Sequence, residues 1–159
     1  MDERSIIPSG RVPFARFPMW LSFDPLANLA QLRPEGLSEL KALASDALDC
    51  FERFPADFSA EPLRELYAIA ARGIGAGAVV GAPAVDTALV SLCDLLDYLS
   101  TSKRWDHEAV AVHVRTLQLL VLGAGKDMDE ATADAIVSGL KKVSAIYAQG
   151  AICGKNWSG

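Results

Sequence analysis

Five runs of apolar residues recur at helical spacing, and nothing between them alternates as a strand would. Leu37, Leu40, Ala44, Ala47, Leu48, Phe51 and Phe54 make the first stripe; the second is Leu63, Leu66, Tyr67, Ala70 and Ile74. Val85, Leu89, Leu92, Leu96 and Leu99 follow, then Val110, Val114, Leu117, Val121 and Ala124, then Ala133, Ile136, Val137, Leu140, Val143 and Tyr147. An i, i+3, i+4 rhythm puts apolar side chains on one face of a 3.6-residue helix. Five such helices joined by short loops imply antiparallel neighbours. The expected fold class is therefore all-α: an antiparallel up-down four-helix bundle with one further helix packed alongside and the stripes pointing inward.

Local signals set the boundaries. The first long helix is expected at about 35–54, ended by "FPADFS". Ser59 can cap the next, with Glu61 favourable near the positive end of its dipole. That helix is expected from about 60 to the "GAP" at 81–83, where Pro83 can start another. Asp106 is a cap for the fourth. Residues 1–34 carry Pro8, Pro13, Pro18, Pro25 and Pro34 and read as an extended N-terminal arm, with a short helix after Asp24-Pro25. Residues 35–148 are the bundle, and 149–159 a loose tail.

Composition bounds the function. The 159 residues suit one domain, and a hydrophobic share of 51% against 22% charged marks a packed chain. A net charge of −5 argues against nucleic acid, whose binding neutralises phosphates with Lys and Arg, and against an anionic membrane surface. No apolar run approaches a membrane span of about 20 residues. "MDERSIIPSG" does not read as a secretion signal. Cys50, Cys93 and Cys153, odd in number and without CxxC spacing, fit a reducing cytoplasm.

The second stripe runs into "LYAIAARGIGAGAVVGAP", residues 66–83, with Gly73, Gly75 and Gly77 in a segment of helical rhythm. Each interior glycine costs a helix about 1 kcal/mol relative to alanine. The segment has neither the Lys-Ser/Thr end of a P-loop nor the preceding strand of a dinucleotide fingerprint. No G-x-S-x-G elbow is present.

This stretch, with "SLCDLLDYL" at 91–99, "HVRTLQ" at 113–118 and the Pro-containing lead-in "IIPSGRVPFARF", resembles the histidine-containing phosphotransfer (HPt) domain in its alphaproteobacterial form. The similarity covers most of the chain, most clearly about 37–147, and rests on the order and spacing of the pieces. It implies a bacterial phosphorelay setting, with a response-regulator receiver domain or a histidine kinase as partner. It also implies a docking face at Ala71, Arg72, Ile74, Gly75 and Ala78. Alignment on Gly75, Gly81 and Pro83 puts Ala71 where the family has its phospho-accepting histidine, Arg72 at the acidic neighbour and Ile74 at the lysine. A one-residue slip puts Arg72 at the histidine position. Neither register supplies an imidazole. Phosphotransfer needs a nitrogen that can be neutral near pH 7, and a guanidinium cannot be. In this reading Gly75, one helical turn past Ala71, keeps clearance for a partner's loops; the plainer reading is that the glycines allow close helix packing.

The expected function is thus a non-catalytic HPt-like binding module that takes no cofactor and no metal. One alternative is active phosphotransfer through a displaced histidine, His113, although its place beside the apolar stripe suits a core residue better. A second is a structural or dimerisation bundle unrelated to phosphorelays, and a homodimer is compatible with any of these. His107, just after the cap Asp106, is expected to be exposed. Cys93 is expected in the core. Asp94, Asp97, Asp127, Asp129 and Glu130 are expected on solvated faces and helix starts.

Overall fold

In the computed structural model, backbone structure is described for residues 25–154 and side chains for 31–149. The chain divides at Gln31/Leu32 into two units, and the packing below belongs to the second. All regular structure among the described residues is helical. The order is α1 (Pro25–Glu52), α2 (Ala60–Gly73), α3 (Ala76–Val79), α4 (Pro83–Ser102), α5 (His107–Ala124) and α6 (Glu130–Gly154).

Helix α4 is central because its apolar stripe is wide. Val85, Ala88, Leu89, Leu92, Leu95, Leu96 and Leu99 are all buried, which covers more of the circumference than a one-sided helix needs. It packs against α2, α3, α5 and α6. Helix α1 runs against α2 in the opposite sense: Leu43 reaches Gly73, while Cys50 lies at Pro62 further along. It meets α5 at both ends, through Phe51 on His107 and Lys41 near Gly125. Helix α6 buries only Val137 and Leu140 among its described side chains, with Ala133, Ile136, Val143 and Tyr147 half-buried.

The inward stripes of α4, α5 and α1 stand as expected. In α2 the rhythm holds for Leu63, Leu66 and Ala70 but fails for Tyr67 and Ile74, which are exposed. Asp106 caps α5, its carboxylate accepting the N–H of Ala109 at 3.0 Å. Asp129 does the same for α6 at Thr132. Ser59 stands at the N-cap of α2, but its hydroxyl makes no capping bond.

Both ends of the helical region differ from expectation. Helix α1 begins at Pro25, inside the segment read as an extended arm, and continues through Pro34. Leu32–Glu35 are exposed, so water can reach the backbone around the proline. Helix α6 runs to Gly154, into the segment read as a loose tail. The rest of both terminal segments, with the "IIPSGRVPFARF" lead-in and the Asp24 cap, lies outside the described residues, as does the side chain of Cys153.

Candidate functional site

The glycine-rich segment is not one continuous helix. Helix α2 ends at Gly73, where the N–H of Ile74 donates to Ala71 O. Gly75 then takes a left-handed conformation with φ +99°. One turn, α3, follows before Gly81, also left-handed at φ +77°. Gly75 therefore does not sit one helical turn past Ala71 on a shared helix face, which corrects the expectation.

The bend is held from α4. The Asp86 carboxylate, in that helix's first turn, folds back over the bend. Its Oδ1 accepts the N–H groups of Gly75 and Gly77, each at 2.9 Å, and its Oδ2 accepts that of Ala78 at 2.8 Å. Three amides at the start of α3, which have no partner within that turn, are thus satisfied by one charged acceptor.

Each glycine has its own reason. At Gly73 a Cβ would sit 2.7 Å from Leu43 Cδ1, so the position lets α1 approach α2. At Gly77 a Cβ would lie 2.6 Å from the Ala82 carbonyl oxygen and 2.9 Å from Asp86 Oδ1. At Gly75 nothing would be touched, and only the backbone angle requires glycine. Close packing, the plainer reading, holds for Gly73 and Gly77.

Ala71, Arg72, Ile74, Gly75 and Ala78 are all exposed, at and just beyond the end of α2. Tyr67 and Val79 add exposed apolar surface to the same region. The sequence pattern assigned Tyr67 to the core, although its i+4 neighbour is Ala71, a solvent-facing position. Arg72 pairs with Asp46 of α1 at 3.6 Å, with both side chains more than half exposed. Such a pair is worth little and can exchange partners readily. Beside it a groove of about 340 Å³ between α1 and α2 is bordered by Glu39, Leu43, Asp46 and Arg72, so the local charge is mixed.

The histidines are placed differently from one another. His107 is exposed, its ring 4.7 Å from that of Phe51 and edge-on to Trp105. His113 is 1% exposed. Its Nδ1–H donates to Ala109 O at 2.8 Å, leaving Nε2 to accept from the hydroxyls of Ser91 (3.0 Å) or Ser144 (3.2 Å). The two hydroxyls are 2.7 Å apart. Burial holds the imidazole below its ordinary pKa, opposed by its bond to Ala109. The cysteines Cys50 and Cys93 are buried free thiols, pushed up to about 11 chiefly by desolvation. They are not nucleophiles at neutral pH.

No family model, curated protein or solved structure matches the chain. Among the described residues, no helix is long and apolar enough to cross a membrane.

Proposed function

We propose that the chain is an HPt-like binding module that docks a receiver domain or a histidine kinase without accepting phosphate. The observation that carries this reading is the surface at the end of α2. Five residues singled out by the resemblance are exposed there together, flanked by Tyr67 and Val79, and none carries an imidazole. The opposed run of α1 and α2 and the central place of α4 support a closed four-helix arrangement of α1, α2, α4 and α5. Helix α6 then lies against α4 and α5. His113 is buried with both ring nitrogens engaged, which counts against it as a displaced phospho-acceptor.

The protein is expected to acquire no acid-labile phosphate when mixed with an autophosphorylating kinase or a phosphorylated receiver. Stoichiometric labelling lost on replacing His113 would instead establish the displaced-histidine mechanism.

Docking is tested by two variants that leave the bend intact. Ala71→Leu adds bulk at an exposed helical position and is expected to weaken receiver binding at any salt. Arg72→Glu is expected to weaken it most at low salt, since exposed charges are screened over about 10 Å at 0.1 M. Gly75→Leu is a poorer probe, because its left-handed backbone would strain any side chain. Both variants should melt within about 0.5 kcal/mol of the parent. Wild-type affinity in both, measured by titration against a panel of receiver domains, would show that partners do not use this face.

A further inference from the structure

The side chains of buried Ser91 on α4, buried His113 on α5 and half-buried Ser144 on α6 meet at one point and tie three helices together. We propose that this junction is a proton-operated latch: charging His113 releases α6 from α4 and α5 while the rest of the bundle stays folded. The inference is independent of the docking face and concerns the opposite side of α4.

Helix α6 is the element such a latch can move. It buries two side chains among those described, whereas α4 buries nine. Among the described residues, its side-chain hydrogen bonds to α4 and α5 are those of Ser144 at the junction and of the Tyr147 hydroxyl, which donates to the α5 cap Asp106. A groove of about 420 Å³ already runs between α4 and α6, with Ser91 and Ser144 in its lining and Leu95 beside them. Opening would uncover Leu95, which is 1% exposed in the closed form.

The chemistry gives the direction. Neutral His113 accepts one hydroxyl proton at Nε2 while the second hydroxyl donates to the first. An added proton at Nε2 turns that acceptor into a donor, and the hydroxyl chain must reverse. The resulting cation has no carboxylate bonded to it. The charged groups at the groove are Asp94 from α4 and Lys141 from α6, opposite in sign and both at the solvent edge. On α5 itself Glu108 and Arg115 are exposed, and α1 meets α5 at its ends through Phe51 and Lys41. A buried cation without a paired anion is costly, and release of α6 lets water solvate it. Asp106 is held below the ordinary carboxylate range, first by Tyr147, so that second tie does not change in the window where histidine titrates.

The test is hydrogen–deuterium exchange on the full chain from pH 7.5 to 5.5, corrected for intrinsic exchange, with the His113 imidazole followed by NMR in the same samples. The amides of 133–147 are expected to lose protection below about 6.5, the ordinary histidine value, by up to about tenfold per pH unit until the folded value is reached. Those of α4 should stay more protected at every pH. His113→Gln should flatten the α6 profile. Equal protection of α6 and α4 at every pH would overturn the latch, since opening would then be global. So would an unchanged pH slope in His113→Gln. If that variant fails to fold, the wild-type titration decides: His113 charging near or above pH 6.5 with α6 still protected overturns the proposal.

Discussion

Replacing Gly77 with alanine is expected to lower the unfolding free energy by about 2–4 kcal/mol, far more than the helix propensities of the two residues suggest. By propensity alone alanine should stabilise a helical turn. Here the added methyl would lie 2.6 Å from a backbone carbonyl oxygen, which cannot swing away as a side-chain tip can. It would also press on Asp86 Oδ1 at 2.9 Å, the atom that accepts two of the three amides at the bend. Asp86→Ala should cost about 2–3 kcal/mol, because Gly75 and Ala78 are exposed enough for water to replace part of the carboxylate. The double variant should cost less than the sum, since removing the carboxylate also removes one clash. Gly75→Ala should cost about 1–2 kcal/mol through its backbone angle alone. Urea denaturation of the four variants and the parent measures all of this. A Gly77→Ala penalty below about 0.5 kcal/mol would mean that the bend is not held as described.

The second large effect is on stability against pH. His113 has a folded pKa below its unfolded value, so the unfolded chain takes up the proton first. Above the unfolded value both states are neutral and the group contributes no pH dependence. As pH falls below about 6.5, stability should drop with a slope of up to about 1.4 kcal/mol per unit, until the folded value is reached. Asp106 acts in a separate window. Its folded pKa is depressed by Tyr147 and by the capped amide of Ala109, so its contribution is present above the unfolded carboxylate value and is lost at more acidic pH. Denaturation midpoints measured from pH 7.5 to 4.5 should therefore show a histidine step that His113→Gln removes. A flat profile between pH 7 and 5 would mean that His113 is not buried in the neutral form.

The apolar rhythm was enough to predict helices, their inward faces and the cap at Asp106, because these depend on neighbours three and four residues apart. Leu89, Leu92 and Leu96 could be assigned to the core on spacing alone, and they are buried. Exposure of Ala71 and Arg72 was legible through the resemblance. The break between α2 and α3 was not. It depends on Asp86, eleven residues beyond Gly75, and a carboxylate in a helix's first turn reads locally as a favourable charge near a dipole. Tyr67 was misread because a position at the edge of a stripe is inside or outside according to how far the neighbouring helix reaches. Pro34 reads as the end of an extended arm, yet α1 passes through it on an exposed stretch where the backbone can be solvated. The sequence also could not reveal what His113 touches. Ser91 and Ser144 are 53 residues apart, and only the packing of α4, α5 and α6 brings their hydroxyls to one imidazole. Local periodicity determined which elements form and which faces they bury; contacts between elements decided where the helix breaks, which aromatic stays in water and which histidine is sealed, because those outcomes depend on distances no single helix encodes.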